Sequence, residues 1–314
     1  MTAKEAPLKH SSSPRAPQTS SLEPRSSILV TGATGFLGSH LAHGLLEAGY
    51  RVLAFRRKTS DLWRLTDIAE QIEWYDTTDL ELPFKKHKKI DHVIHTATIY
   101  GRNSEKGSQL VETNLLFPLK LYEIASAFNT DTFFNTDTVL PKYLNGYSLS
   151  KKQLCEWLRM LADSTKVVNV RLEHIYGPKD DSSKFVTSII SQCLSSMPEL
   201  KLTKGEQKRD FIFIDDVVAG YLCLLDNISR LQKTFVDVGM GSGDSISIKD
   251  LVECVVECTG SETKPLFGTI PYRENEIMDS NADIQLLTEL GWQSQISLVE
   301  GVRETIKSVK KELK

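Results

Sequence analysis

Three regularly spaced glycines, Gly32, Gly35 and Gly38, are the feature that most constrains the fold of this chain. They follow the apolar run 28–30, which is typical of a short strand, and they open a helical pattern over 36–48. A turn without side chains at these positions allows backbone N–H groups at a helix start to approach a phosphate closely. The spacing therefore predicts a strand–turn–helix unit that binds the pyrophosphate of a dinucleotide.

Short apolar strands alternate with helical segments from residue 27 to residue 172. Strands are predicted at 28–30, 51–55, 72–75, 92–95, 132–135 and 167–172, and helices at 36–48, 108–128 and 147–163. Strands separated by helices form parallel sheets that are covered on both faces. The expected fold class is α/β, with a Rossmann-type doubly wound parallel sheet and a smaller C-terminal substrate lobe.

Three segments are expected along the chain. Residues 1–26 are rich in Ser and Pro and have no apolar periodicity, which predicts a disordered N-terminal extension. Residues 27–172 are predicted to be the dinucleotide-binding domain. The alternation becomes irregular over 173–314, with a helix near 184–196 and a strand at 209–214, which indicates mainly a substrate-binding lobe. A strand at 235–239 is able to return to the main sheet.

The overall composition excludes several classes of protein. The formal net charge of −3 provides no field that attracts nucleic acid, and the basic run 85–89 is interpreted as a solvated loop. No stretch approaches the roughly 18 apolar residues of a membrane helix. The five cysteines lack a Cys-x-x-Cys pair, and Cys254 and Cys258 have no accompanying histidine. We expect a cytoplasmic protein with free thiols, no metal, no nucleic-acid partner and no membrane partner.

The end of the second predicted strand distinguishes between nicotinamide cofactors. An acidic residue there would accept hydrogen bonds from the adenosine ribose 2′-hydroxyl. This chain instead has Arg56 and Arg57, whose guanidinium groups suit a 2′-phosphate. NADP(H) is therefore predicted in preference to NAD(H), and a solvated basic loop is the alternative interpretation.

Tyr147 and Lys151 lie four residues apart at the start of a predicted helix. Their side chains therefore share one helix face and can converge on one ligand. A nearby ammonium group favours the phenolate, so Lys151 is expected to make Tyr147 a better acid near neutral pH and to bond the nicotinamide ribose.

The glycine turn and the Tyr-x-x-x-Lys pair together resemble the extended short-chain dehydrogenase/reductase family over roughly residues 27–310. The similarity includes the segments 95–97, 171–178 and 209–217. Asp76 and Thr77 are expected beside the adenine. The resemblance implies that the cofactor is bound by Gly32, Thr34, Gly35, Phe36, Leu37, Gly38, Arg56, Arg57, Asp76, Thr77, Thr96, Ala97, Tyr147 and Lys151.

Members of this family add a serine or threonine that bonds the substrate oxygen beside the tyrosine. The segment 135–138 supplies two candidates, Thr136 and Thr138. Aligned on Val139, the segment resembles the Thr-Asp-Glu of dTDP-glucose 4,6-dehydratases, with Thr138 in place of the catalytic glutamate. The resemblance therefore disfavours dehydration, and it favours Thr136 as the hydroxyl partner.

A closer similarity is to the CDP-abequose and CDP-paratose synthases, which are nucleotide-sugar 4-ketoreductases. It rests on segments 100–103, 172–177 and 203–211. By this resemblance Arg102, Thr138, His174, Arg209 and Arg273 are substrate-binding residues, with the two latter arginines on the nucleotide diphosphate. Structural roles remain open for three of them: His174 as a core residue, and Arg209 and Arg273 as ion-pair partners of Asp210 and Glu276.

The expected function is NADPH-dependent reduction of the 4-keto group of a nucleotide-linked deoxysugar, with Tyr147, Lys151 and Thr136 as catalytic residues. Two alternatives remain. One is a UDP-sugar 4-epimerase that retains NAD, and the other is a non-catalytic NADP(H)-binding sensor or scaffold. The family resemblance also implies a homodimer built on the helices near 108–128 and 147–163.

Overall fold

The computed structural model describes residues 25–312, and its centre is a seven-stranded sheet in which all strands are parallel. The spatial order of the strands is β10-β6-β5-β4-β1-β2-β3. These strands are β1 (Ser27–Thr31), β2 (Arg51–Arg56), β3 (Glu73–Asp76), β4 (His92–His95), β5 (Thr132–Thr138), β6 (Lys166–Leu172) and β10 (Phe235–Met240).

Helices cover both faces of this sheet, and so its central strands are apolar on both sides. Ile28, Leu29 and Val30 of β1 are all fully buried. One face packs against α1 (Phe36–Glu47) and α7 (Ile214–Asp226). The other face packs against α2 (Leu82–His87), α4 (Phe117–Ala127) and α5 (Gly146–Leu161). A short helix α3 (Gly107–Val111) runs into α4 through one π-helical turn at Glu112–Leu116.

The second half of the chain builds a smaller lobe at the carboxyl edge of the sheet. Its strands form a three-stranded sheet in the order β11-β9-β7 and a pair, β12-β8. The elements of this lobe are β7 (His174–Tyr176), α6 (Phe185–Leu194), β8 (Glu199–Lys201), β9 (Lys208–Phe213), β11 (Ser245–Ser247), α8 (Ile248–Thr259), β12 (Lys264–Leu266), α9 (Gln285–Glu289) and α10 (Leu298–Glu312).

The predicted fold class is confirmed: the sheet is parallel, doubly wound and accompanied by a C-terminal lobe. The division between domains is less simple in space than along the chain. Both α7 and β10 follow residue 173 in sequence, yet they belong to the main sheet and its covering layer.

The structure corrects one local prediction, and a second lies almost entirely outside the described residues. The basic run 85–89 is not simply a solvated loop, because Lys85, Lys86 and His87 form the end of α2 and the Lys86 ammonium lies 2.7 Å from the Glu73 carboxylate. The predicted extension 1–26 lies outside the described residues except at its last two positions. There the Arg25 N–H donates to the Gly49 carbonyl at 2.9 Å, which attaches this point to the sheet.

Candidate functional site

The glycine turn brings the start of α1 into direct contact with the end of β1. Gly32 has a φ of +70°, and a Cβ there would lie 2.7 Å from the Ala97 backbone nitrogen. A Cβ on Gly38 would lie 2.1 Å from the Gly32 carbonyl oxygen. A Cβ on Gly35 would have one neighbour within 4 Å, the same Gly32 oxygen, at a distance of 3.2 Å. Two of the glycines therefore serve packing, whereas Gly35 keeps the approach to the helix start open.

The N-terminus of α1 is suited to an anion. Gly35 is the N-cap and provides no side-chain cap, and the first turn of the helix contains no acidic residue. The first i to i−4 hydrogen bond of the helix runs from the Ser39 N–H to the Gly35 carbonyl. The N–H groups of residues 36–38 come before it and have no acceptor within the helix. Open N–H donors at a helix start fit the pyrophosphate of a dinucleotide.

A cavity of about 400 Å³ lies beside the carboxyl ends of β2 and β3. The Arg56 guanidinium carbon stacks 5.1 Å from the centre of the Trp74 ring. Asp76 pairs with Arg56 in the strand register and accepts the Thr78 N–H at 2.9 Å. The residues that line the cavity are Arg56, Arg57, Lys58, Ser60, Trp74, Tyr75 and Asp76.

Two other predicted cofactor residues, Thr96 and Ala97, lie against the end of β1 beside the glycine turn. The Thr96 hydroxyl donates to the Thr31 carbonyl at 2.7 Å, and the Ala97 N–H donates to the Thr31 hydroxyl at 3.2 Å. His95 is fully buried and its Nδ1 lies 2.8 Å from the same hydroxyl. Sequence reasoning missed Thr31, the last residue of β1, which attaches the end of β4 to the glycine turn.

Tyr147 and Lys151 occupy the first two turns of α5. Its N-cap Asn145 accepts the Ser148 N–H at 2.9 Å, which begins the helix just before the tyrosine. The Lys151 side chain is buried, at 2% exposure for the residue. Burial lowers the pKa of Lys151 to about 8, although the charge of Asp137 acts in the opposite direction.

The Tyr147 phenol does not become more acidic in the ligand-free chain. Burial raises its pKa, and the neighbouring Tyr100 and the charge of Asp137 raise it further. The nearby Thr138 hydroxyl and the charge of Arg102 lower it, but they do not outweigh burial. This direction is opposite to the one expected from Lys151, and it keeps the phenol protonated at neutral pH.

The two threonines at the end of β5 have different partners. The Thr136 hydroxyl lies 2.7 Å from the Tyr221 hydroxyl on α7, whereas Thr138 lies near Tyr147 and lowers the pKa of its phenol. The structure thus pairs the Thr136 hydroxyl, favoured by the alignment, with Tyr221. The physical reason is that Tyr221, which is buried in the core, provides a hydrogen-bond partner for Thr136.

Lys152, the residue that follows Lys151, joins β5 to α5. Its ammonium lies 2.8 Å from the Asp137 carboxylate and also donates to the Thr138 carbonyl. The Asp137 side chain is 1% exposed and that of Lys152 is 20% exposed. A shielded ion pair therefore holds Thr138 against the helix that carries Tyr147 and Lys151.

Asn114 is a second residue that sequence reasoning missed. It is fully buried within the π-helical turn. Its Oδ1 accepts from the Thr98 hydroxyl at 3.0 Å and the Ile99 N–H at 2.9 Å, and its Nδ2 donates to the Ile99 carbonyl and the Ser150 hydroxyl. Asn114 thus fastens the segment after β4 to α5. An amide directly before the apolar run 115–117 was the available signal.

Two of the predicted substrate residues, Arg102 and His174, have different surroundings. The Arg102 guanidinium carbon lies 5.3 Å from the Tyr100 ring centre, and that ring lies 5.0 Å from the ring of Tyr147. The His174 Nδ1 lies 3.1 Å from the buried Glu173 carboxylate, and the His174 ring lies 5.8 Å from the ring of Phe211.

The two predicted diphosphate arginines differ in environment. Arg209 does not pair with Asp210, because its Nη2 donates to the Glu276 carboxylate at 2.6 Å. The Asp210 carboxylate instead accepts backbone N–H groups of Ser242, Gly243 and Ala282. Arg273 is exposed. The Glu276 carboxylate, its expected alternative partner, instead forms an ion pair with Arg209.

The fold and the site together define an extended short-chain dehydrogenase/reductase. A sequence model of the NAD dependent epimerase/dehydratase family matches residues 28–239, and the chain belongs to that family. CDP-abequose synthase of Salmonella muenchen is 34% identical over 294 residues, which cover 91% of this chain and 98% of that protein. The dTDP-4-dehydro-6-deoxyglucose reductase of Escherichia coli is 26% identical over 320 residues, which cover 91% and 98%.

Solved structures share the fold. UDP-glucose 4-epimerase of Thermotoga maritima, solved with UDP-glucose, has a TM-score of 0.78 at 23% identity and covers 92% of this chain and all of its own. The enzyme of Stenotrophomonas maltophila, solved with NAD and formylated UDP-arabinopyranose, has a TM-score of 0.81 at 19% identity and covers 92% and 99%. In residues 25–312 no helix is both long and apolar enough to cross a membrane, and no three His, Cys, Asp or Glu residues form a metal cluster.

The two adjacent lysines of α5 are expected to affect stability in opposite directions. The folded-state pKa of Lys151 is about 8 against an ordinary 10.5, so its desolvated charge costs stability at pH 7, and this cost disappears as pH rises from 8 to 10.5. Lys151→Met should raise the free energy of unfolding of the ligand-free protein at pH 7, by up to about 3 kcal/mol. Lys152→Met should lower it by about 3 kcal/mol, because Asp137 loses its partner.

Urea unfolding of both variants at pH 7 and pH 10 measures these effects. The gain from Lys151→Met should shrink at pH 10. A Lys151→Met protein that is less stable than the parent at pH 7 would contradict the assignment of a desolvated ammonium to this position.

Proposed function

We propose that this chain is an NADPH-dependent reductase of the 4-keto group of a nucleotide-linked deoxysugar, such as a CDP-4-keto-3,6-dideoxyhexose. The observation that carries the proposal is that Thr138 ends β5 while Tyr147 and Lys151 open α5, at the sheet edge that also carries the glycine turn. The similarity to CDP-abequose synthase over 91% of the chain supports the substrate class.

In this mechanism the phenol of Tyr147 donates its proton to the substrate oxygen at C4. The raised pKa of the phenol keeps that proton in place until an alkoxide, a far stronger base, develops. The Thr138 hydroxyl holds the same oxygen, and Lys152 holds Thr138 through the backbone. When NADPH is bound, it supplies the hydride that the carbonyl carbon takes up.

Lys151 has two roles in the proposal. Its ammonium would bond the nicotinamide ribose, and it lies on the helix face of Tyr147, from which it would return a proton to the phenolate after the reaction and then regain one from water. With a pKa of about 8 the side chain holds its proton at neutral pH but releases it at little cost. The cofactor fits the chain because the start of α1 is open to an anion and the cavity beside β2 is basic.

The preference for NADPH rests on Arg56 and Arg57. Replacing both with Ala should weaken NADPH binding about 10-fold to 100-fold relative to NADH, because charge-assisted bonds to the 2′-phosphate are lost. Fluorescence titration with each cofactor measures this, and Arg51→Ala, on an exposed arginine paired with Glu73 at the start of β2, is the matched control. Equal losses for both cofactors would refute the preference.

The reaction itself is tested by NADPH oxidation with CDP-, dTDP-, UDP- and GDP-linked 4-ketosugars, with the product configuration read by NMR. Tyr147→Phe should reduce turnover at least about 100-fold while NADPH still binds, because only the proton donor is removed. Thr138→Val should lower kcat more than Thr136→Val, whose hydroxyl bonds Tyr221. Full turnover by Tyr147→Phe, or a larger effect at Thr136, would contradict these roles.

A 4-epimerase that retains NAD is the second candidate function. The solved structures of similar fold include UDP-glucose 4-epimerases, and epimerisation requires the same tyrosine and lysine. Purified protein that carries stoichiometric NAD⁺ and interconverts a nucleotide sugar without added cofactor would favour this function over net reduction.

We also propose that the chain forms a homodimer through α3, α4 and α5. Large apolar side chains are exposed at Val111 of α3, at Leu116 just before α4, and at Trp157 (45%) and Met160 (67%) of α5, which lie one turn apart. Covering such a surface with a second copy would bury it from water. Light scattering should give the mass of two chains, and Trp157→Glu should give one. A monomeric parent protein at micromolar concentration would contradict the proposal.

A further inference from the structure

One face of the three-stranded sheet carries a row of substrate candidates. His174 of β7 pairs in register with Phe211 of β9, and Arg209 lies two residues earlier on β9, on the same face. Strand geometry separates His174 from Arg209 by about 8 Å. In the proposed function, this row extends from the sugar, near His174, to the diphosphate, at Arg209.

An irregular segment, residues 272–283, is attached beside this row. The Lys208 N–H donates to the Met278 carbonyl at 2.8 Å, and the Ser280 hydroxyl donates to the Glu173 carboxylate at 2.8 Å. The Ala282 N–H donates to the Asp210 carboxylate at 3.2 Å. The segment is therefore held by several bonds that do not involve Arg209.

Within this segment the Glu276 carboxylate forms an ion pair with the guanidinium of Arg209. The Nη2 group donates to the Glu276 carboxylate at 2.6 Å, while Nη1 donates to the Lys208 carbonyl at 2.7 Å. The arginine and glutamate side chains are only 10% and 17% exposed, so solvent screens this ion pair weakly. The Glu276 N–H also donates to the Arg273 carbonyl at 3.1 Å, which places the second arginine in the same tight turn.

Carboxylates and phosphates accept hydrogen bonds from a guanidinium in the same way, through paired anionic oxygens. We propose that Glu276 is an internal stand-in for the substrate diphosphate: it holds Arg209 until a nucleoside diphosphate replaces it, and the turn 273–276 then brings Arg273 to the same diphosphate. The inference rests on the proposed function, because it takes the diphosphate site from it. Its consequence is selectivity, since a ligand must supply enough negative charge to displace a carboxylate.

The alternative is that Glu276 merely positions Arg209 for the ligand. The two roles predict opposite changes in ligand affinity when Glu276 is replaced. A positioning carboxylate helps binding, so its removal weakens ligand binding. A stand-in competes with the ligand, so its removal strengthens binding while it destabilises the ligand-free protein.

The experiment is titration calorimetry of the ligand-free full chain with CDP and with UDP, together with its thermal unfolding. Glu276→Gln should bind both nucleotides about tenfold more tightly, as expected when a competing charge-assisted bond becomes a neutral one. The same variant should melt at a lower temperature than the parent. Glu274→Gln, an exposed carboxylate two residues away, is the matched control and should change affinity less than about twofold.

The possible outcomes separate the inference from the function on which it rests. If the parent binds CDP and reduces a ketosugar but Glu276→Gln binds CDP equally or more weakly, the stand-in role is wrong and the proposed function survives. An equal gain in Glu274→Gln would also overturn the inference, because net charge would then explain the effect. If neither nucleotide binds the parent and no ketosugar is reduced, both proposals fail.

Discussion

The contact between Gly38 and the Gly32 carbonyl is the constraint on which the rest of the site depends. No residue with a Cβ can stand at position 38, since that atom would lie 2.1 Å from the carbonyl oxygen. The contact places the start of α1 directly at the carboxyl end of β1. Because the parallel strands all end at this edge, the cavity after β2, the threonines of β5 and the helix after β5 gather there.

The buried ammonium of Lys151 is the second constraint on the site, and polar side chains surround it. Beneath α5, the Asn135 amide donates to Asn169 at 2.7 Å, and the Asn169 amide donates to Asp237 at 2.8 Å, so that polar side chains link β5, β6 and β10. Asp137 adds the anion that partly offsets the desolvation of Lys151. Polar side chains here take the place of apolar packing, and the charge of Asp137 makes the buried ammonium of Lys151 less costly.

Features confined to one element could be predicted from the sequence, whereas those that join distant elements could not. The parallel sheet and the glycine turn follow from local patterns, and the structure confirms the fold class. The partners of Thr136 and Thr138 depend on where α7 and α5 lie, which no local pattern contains. The same is true of Lys152, which joins β5 to α5, and of Glu276, which lies 67 positions from Arg209.

The return of the second half of the chain to the central sheet has a consequence for how the molecule is made. A fragment that ends at residue 172 would leave β6 as a bare edge, since its outer neighbour is β10, and would expose the face of α1 that packs on α7. An emerging chain cannot complete the central sheet until about residue 240 has left the ribosome. The two halves of the chain are therefore not separate folding units.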